Sequence, residues 1–368
     1  MSRSQADAVS AVLARVAEGV RLSDADAATL FATHDLPRLG RAAHAVRLRL
    51  HPEPVVTYCV DRNINYTNVC VTDCDFCAFY RRPGHPEGYI NSLETINRKI
   101  AELYAVGGRQ VLLQGGHHPY LQLPYYVELL TGIRAAFPDI HLHAFSPSEI
   151  ENIAAVSKCS IREVLVELKA AGLNSVPGAG GEILVDRVRR EISPKKQSAD
   201  GWLTVMRTCH EVGLRTSATM VIGHVETIAD RIEHLRRLRE LQDEHHGFTA
   251  FISWTMQPEH TALAGRIRKV GPYEYMRTLA VARLYLDNFD NFQASWVTQG
   301  GKVGQLSLFY GCNDMGGTMM EENVVSSAGT IHCVDEVECR RLIEEAGFTP
   351  RKRNFFYAAF PVPETVSA

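Results

Sequence analysis

Cys70, Cys74 and Cys77 stand in the run Cys70-Val-Thr-Asp-Cys74-Asp-Phe-Cys77, so three thiols recur at spacings of four and three. That is the ligand set of a [4Fe–4S] cluster with one open iron: such a cube ordinarily takes four thiolates, and an iron without one can hold a ligand from solution. Two other readings fit the same residues, a zinc site completed by a distant His or Cys and three core thiols with no shared task. Zinc ribbons use paired C-x2-C knuckles, and the chain has no second knuckle. Its nine cysteines, an odd number, suit metal chemistry and reduced thiols better than a disulfide framework. Cys59, Cys159, Cys209, Cys312, Cys333 and Cys339 show no ligand spacing and read as small apolar residues.

Other polar runs have types suited to a zwitterionic, ribose-bearing ligand. Gln114-Gly-Gly-His-His-Pro119 carries two glycines that let backbone approach a ligand with amides and carbonyls free; the plain alternative is a turn needing positive φ. Gly178-Ala-Gly-Gly-Glu182 sets one carboxylate in a glycine-rich loop, where it could take ribose hydroxyls or serve as an acid in the first turn of a helix. Phe145-Ser146-Pro-Ser-Glu149 follows His141 and His143, which share one strand face and read as hydrogen-bonded barrel histidines sooner than as metal ligands. Met220-Val-Ile-Gly-His-Val-Glu226 has backbone opened by Gly223 beside apolar side chains, which suits an adenine face; the plain alternative is simple barrel packing. Trp254 and Trp296, with the hydroxyls and amides near them and Asn313 and Asp314, are fit for a polyhydroxylated aromatic ligand; the paired acids Glu321 and Glu322 read as solvated loop charges sooner than as catalytic groups.

These residues need elements that bring them to one place. Residues 8–50 read as a helical preface: Val9, Val12, Leu13, Val16 and Val20 keep one face apolar, Ser23 starts a second helix, and Asp35 with Pro37 starts a third. From residue 55 the pattern is strand, loop, helix, repeated. Strands are expected at Val55–Ile64 before the cysteine loop, then at 109–114, 141–146, 173–176, 215–222, 248–256 and 292–297. The eighth falls at 312–315 or at 324–325, and an edge strand at 353–360. Alternating strands and helices imply parallel pairing through right-handed crossovers, and seven or eight such units make a (β/α)8 TIM-type barrel. Its chemistry sits at the C-terminal strand ends, where the runs above fall. The expected organisation is an N-terminal helical extension (1–50), the barrel (51–360) and a tail (361–368).

Net charge is −3 over 368 residues, with a pI near 6.6, which argues against nucleic acid as a partner. The first residues lack the apolar core of a signal peptide, and no run of eighteen apolar residues occurs; a cytoplasmic protein is expected.

The stretch N-I-N-Y-T-N-V-C-V-T-D-C-D-F-C-A-F-Y-R, with LLQGGHHP, HAFSPSEI, ISPKK, GHVET, SWTMQP, NFQASWVTQGG and MGGTMMEENVVSSAG, resembles the dehypoxanthine futalosine cyclase family of menaquinone biosynthesis. The cysteine motif alone marks the radical S-adenosylmethionine (SAM) superfamily; the downstream runs narrow the branch. Aminofutalosine synthase and the F420-precursor synthase components are siblings with the same barrel and cysteine loop.

The resemblance implies that Cys70, Cys74 and Cys77 hold a [4Fe–4S] cluster whose open iron chelates SAM. Reduced flavodoxin or ferredoxin then drives cleavage to a 5′-deoxyadenosyl radical. That radical takes the C4′ hydrogen of dehypoxanthine futalosine, the carbon radical adds to the benzoate ring, and an electron and a proton leave. It further implies that Gly115 and Gly116, with His117 and Ser146 near, meet the methionine moiety, that Glu182 meets the ribose, and that Phe76, Val221 and Gly223 flank adenine. Thr219 and Val221 depart from the usual strand-five pattern. For the base that takes the last proton the candidates are His117, His118, His143, His224, Glu321 and Glu322, with His224 and Glu322 foremost. The competing class is an iron–sulfur electron carrier, which has no use for the GGHHP and GGEIL loops.

Overall fold

The computed structural model describes residues 3–360. Ten strands alternate with helices: β1 (Val55–Cys59), β2 (Asp61–Asn65), β3 (Gln110–Gln114), β4 (His141–Ala144), β5 (Ser175–Val176), β6 (Arg215–Ile222), β7 (Phe248–Thr255), β8 (Asn291–Gln293), β9 (Asp314–Gly317) and β10 (Thr349–Lys352). Every ladder between them is parallel, in the order β10-β1-β9-β8-β7-β6-β5-β4-β3-β2.

β1 and β2 are one extended run interrupted at Val60. Its first half pairs with β9 and its second with β3, so the sheet curls until its ends share a stave. Backbone bonds seal that seam: Thr318 N donates to Cys59 O (3.0 Å), Met320 N to Asp61 O (3.1 Å) and Asn63 N to Glu321 O (3.2 Å). The eight-stave barrel expected from the sequence is thereby closed, and β10 lies along the free lower edge of β1.

Alternation along the strands sorts side chains between shell and interior. Ile64, Val111, Leu113, Leu142, Ala144, Ala218, Met220 and Ile222 point outward and are fully buried under helices. Their neighbours Asp61, Asn63, Gln110, Gln114, His143, Ser217 and Thr219 point inward and line a cavity. Barrels ordinarily fill this space with branched apolar residues; here most of the inward set is polar, with Leu112, Val221 and Ile252 as apolar members.

Three expected boundaries move. The eighth stave is Asp314–Gly317, and Val324–Ser327 is helical. The seventh strand stops at Gln293, because a helical turn forms over Trp296–Gln299, with Ser295 Oγ 2.6 Å from Thr298 Oγ1 and Gly300 at φ +82° ending it. The late edge strand lies at Thr349–Lys352, and only an Arg353–Ala359 bridge follows.

The preface forms α1 (Arg3–Ala17), α2 (Asp24–Phe31) and α3 (Leu36–Leu50). Ser23 and Asp26 make a reciprocal capping box on α2, and Asp35 caps α3. The three helices pack on the barrel's outer side: Arg239 donates to Leu22 O (2.8 Å), Arg277 to Phe31 O (3.0 Å) and Tyr273 to His34 O (3.0 Å). The expected tail at 361–368 lies outside the described residues.

After β10 the chain turns across the N-terminal end of the barrel. Arg353 pairs with the buried Asp314 (Nη2–Oδ1 2.8 Å), the Tyr357 hydroxyl accepts from Gln293 Nε2 (2.7 Å), and Phe355 stacks on His141 at 4.8 Å.

Candidate active site

The loop after β2 places the three thiols at the C-terminal mouth. Cys70 N donates to Arg81 O (2.9 Å), Arg81 N to Asn68 O (2.8 Å) and Cys77 N to Cys74 O (3.1 Å), which ties the loop into a closed turn. Cys70 Sγ and Cys74 Sγ flank one hydroxyl, Thr72 Oγ1, at 2.9 and 3.6 Å. Burial pushes the Cys74 thiol up to about 11 and raises Cys77 as well, so metal loading must displace protons. Among the described residues no three His, Cys, Asp or Glu converge on one point suited to a single ion. A cubic cluster instead takes its thiolates on separate irons, and three cysteines on one loop without a fourth fit one with an open corner.

Gly115 and Gly116 meet this loop from β3. Neither has positive φ, so the turn reading falls and close approach remains: a Cβ on Gly116 would sit 2.2 Å from Val69 O, and one on Gly115 2.6 Å from the Tyr66 ring. Their amides are not free for a ligand as expected. Gly115 N donates to Glu149 Oε1 (2.8 Å) and Gly116 N to Thr67 O (3.0 Å). What the loop can turn to a ligand is carbonyl oxygen, which suits an ammonium. His117 O accepts from Val71 N (3.2 Å), binding the two loops together. Its imidazole is held neutral, down to about 3, by burial first and Lys196 second. Ser146 does not reach the cavity: its hydroxyl caps the helix Pro147–Ser157 and donates to Glu149 (2.6 Å).

Glu182 is not a helix-cap acid, since the helix behind it begins at Asp186. The carboxylate is buried beside the cavity, with Oε1 3.0 Å from Lys196 Nζ and Oε2 3.6 Å from Arg189 Nη1. Lys196 Nζ also stands 5.2 Å from the centre of the Phe76 ring. Lys196 belongs to the ISPKK run and has no role among the expected site residues. Its signal was a basic residue in a segment that returns to the glycine-rich loop.

The cavity, about 310 Å3, runs from this cradle into the barrel and is lined by Phe76, Glu182, Val221, Trp254 and Glu322 as expected. Four lining side chains carry a buried oxygen without a hydrogen-bond partner: Asn63 Oδ1, Gln110 Oε1, Glu182 Oε2 and Gln257 Oε1. Buried acceptors left unpaired are costly, and a ligand with several hydroxyls would satisfy them. Gly223 (φ +90°) does not line the cavity; its amide donates to Glu226 Oε1 (2.7 Å). Trp296 is likewise displaced, its indole donating to Gly317 O (3.1 Å) from the helical turn.

The base candidates separate. His224 is enclosed in its own loop, Nε2 at 2.9 Å from Val221 O and Nδ1 accepting from Val225 N (2.8 Å), so neither nitrogen is open to the cavity. Glu322 lines the cavity, but its carboxylate accepts from Val324 N, Val325 N and Ser326 N (2.8–2.9 Å). Glu321 is held by Lys99 and Arg62, and His118 Nδ1 accepts from Tyr120 N (3.2 Å). His143 lines the cavity with only Nδ1 engaged, 2.8 Å from Ser175 Oγ.

Residues 64–238 match the Radical SAM superfamily and residues 245–366 the CofH/MqnC C-terminal region. The cyclic dehypoxanthine futalosine synthase of Halalkalibacterium halodurans is 48% identical over 349 residues, 95% of this chain and 94% of its own. The aminodeoxyfutalosine synthase of Thermus thermophilus is 40% identical, over 96% of each chain. Among solved structures, methylornithine synthase (PylB) superposes with a TM-score of 0.73 at 21% identity, covering 92% of this chain and 97% of that one; that likeness bears on the fold alone.

Proposed function

Because the chain belongs to the radical SAM superfamily and, within it, to the family of cyclic dehypoxanthine futalosine synthases, we infer that it cyclises dehypoxanthine futalosine for menaquinone biosynthesis. When bound, the [4Fe–4S] cluster and SAM supply a 5′-deoxyadenosyl radical that takes hydrogen from C4′ of the substrate ribose.

The chain's own residues hold and orient. Cys70, Cys74 and Cys77 are the thiolates. The Gly115-Gly116 loop offers carbonyl oxygen to an ammonium, Lys196 is the cation for a carboxylate, and Glu182 Oε2 is the acceptor for a ribose hydroxyl. Phe76 and Val221 supply apolar walls for a base. The cavity beyond excludes water and fixes the ribose near the aromatic ring, so that ring closure is a matter of position. Ser146, Gly223 and His224 shape the surrounding loops without touching either ligand. The preface 1–50 is a supporting layer, and 51–360 is the catalytic unit. The expected electron source is a reduced flavodoxin or ferredoxin. No helix among the described residues is long and apolar enough to cross a membrane, and the cytoplasm is the expected compartment.

The observation that carries the substrate assignment is the set of four buried oxygens without a hydrogen-bond partner that line the one cavity below the cysteine loop. They ask for a ligand rich in hydroxyl donors. Anaerobic turnover with dehypoxanthine futalosine, SAM and a reductant tests it. The expected product is lighter than the substrate by two hydrogens, with 5′-deoxyadenosine formed alongside. Unchanged substrate under conditions where SAM is cleaved with an aminofutalosine-synthase substrate would overturn the assignment in favour of the sibling.

A further inference from the structure

Cyclisation ends with a proton leaving the aromatic ring inside a closed barrel. The cavity wall offers one imidazole nitrogen for it. His143 faces the cavity; its Nδ1 is 2.8 Å from Ser175 Oγ, and its Nε2 has no partner among the described residues. The same Ser175 Oγ lies 2.7 Å from His141 Nε2. Ser175 is fully buried, and its hydroxyl lies within hydrogen-bond distance of both rings.

His141 belongs to a different space. It lines a second cavity, about 290 Å3, at the N-terminal end of the barrel with Arg109, Asp139, Lys352 and Asn354. His143 is absent from that lining, as His141 is from the first. The tail segment divides the two spaces: Phe355 lies against both rings, 4.8 Å from His141 and 4.6 Å from His143, and lines both cavities. β4 sets the two histidines on one face, and its pairing of His143 with Ser175 of β5 brings the hydroxyl between them.

We propose that His143, Ser175 and His141 form a proton relay that takes the ring proton from the substrate cavity to the cavity at the opposite end of the barrel; this rests on the cyclase reading above. In the resting relay His143 carries hydrogen on Nδ1 and donates it to Ser175 Oγ, while Ser175 donates to His141 Nε2. The adduct radical first gives its unpaired electron to a one-electron acceptor of the iron–sulfur or flavin class; the ring C–H bond of the resulting cation then breaks, its electron pair restores the aromatic ring, and the proton goes to His143 Nε2. His143 passes its Nδ1 hydrogen to Ser175, Ser175 passes its own to His141 Nε2, and His141 releases the Nδ1 hydrogen to water in the second cavity. Each centre gains one proton and gives one up, and no net charge stays at the buried serine. Burial lowers the proton affinity of both rings, His141 to about 4 and His143 further below its usual range, with His141 and Arg353 adding to the effect. Neither ring stores a proton at neutral pH, as a relay requires, and the acceptor is strong enough because the adduct gains aromaticity by losing the proton.

The test uses the cluster-loaded enzyme with substrate and compares cyclised product with 5′-deoxyadenosine in Ser175→Ala and His141→Phe, the second keeping an aromatic ring against Phe355. Expected is near-normal 5′-deoxyadenosine with product per 5′-deoxyadenosine lowered about tenfold or more, the lower range for loss of positioned proton transfer, together with reduced or returned substrate. A ratio within twofold of wild type in both variants overturns the relay. So does an equal fall of product and 5′-deoxyadenosine with a lowered melting temperature, since that is a packing defect. Wild-type enzyme that cleaves SAM but cyclises nothing would instead defeat the cyclase reading itself.

Discussion

Lys196 Nζ and Glu182 Oε1 lie 3.0 Å apart at the mouth of the barrel, both with about a tenth or less of their side chains exposed. Burial works against the Lys196 charge, and Glu182 and Cys74 more than restore it, so its proton affinity ends above the usual lysine range. A buried pair whose second carboxylate oxygen has Arg189 Nη1 at 3.6 Å but no hydrogen bond is poised for a third, ligand group.

Glu182→Gln is expected to weaken SAM binding by roughly 1–3 kcal/mol, the scale of a lost charged hydrogen bond, with iron content unchanged. The same change leaves Lys196 and Arg189 facing each other without a carboxylate, so the unliganded protein loses stability. Equilibrium SAM binding and a melting curve measure the two effects separately. Unchanged affinity in a folded, iron-replete variant would remove Glu182 from the ligand site.

Cys70→Ala, Cys74→Ala and Cys77→Ala are each expected to empty the cluster site, because the loop holds three thiols and no spare. Cys209→Ala and Cys312→Ala, both at fully buried positions away from the loop, should keep iron near wild type. Iron and sulfide analysis after anaerobic reconstitution decides; iron loss in either control would overturn the three-ligand assignment.

Asp61 gives stability a pH dependence. Burial pushes its carboxyl up to about 6, against the pull of the Met319 amide. The folded state therefore binds the proton more tightly than the unfolded chain, whose aspartate titrates near 4. Stability is greatest below pH about 4 for this group and is lost as pH rises to about 6, by roughly 3 kcal/mol for two pKa units. Asp61→Asn should remove that slope, read from urea midpoints at a series of pH values. An unchanged slope would place the titration elsewhere.

Arg353 and Asp314 fasten the tail to the barrel interior, with side chains 3% and 0% exposed. Arg353→Met strands the Asp314 charge with Thr57 and the Gly316 amide as donors. The expected loss is about 3–5 kcal/mol, the scale for breaking one side of a buried pair. Arg353→Met with Asp314→Leu should recover part of it in denaturant titrations. A double variant no more stable than the single would mean that the pair does more than neutralise charge.

The cysteine loop was legible because cluster ligation needs particular residue types at particular spacings within one short segment. The barrel was legible because β and α periods alternate through the chain, and β6 matches its expected bounds residue for residue. The short staves were harder. β5 has two residues and β8 three, too few for a period of two to show. The polar interior was present in the sequence as alternate residues of β2, β3 and β6, Leu112 and Val221 excepted, but its meaning depends on which face turns inward.

Local sequence, then, determined the thiolate set, the closed order of strands and helices, and the strand ends where ligands belong. Tertiary structure decided the rest, because hydrogen-bond occupancy is a property of neighbours distant in the chain. The Gly115 amide is taken by Glu149, and His224 is closed off within its own loop. Glu182 meets Lys196 across the helix Asp186–Ile192. His143 and His141, two residues apart, serve different cavities only because Ser175 arrives between them from β5 and Phe355 from the far end of the chain.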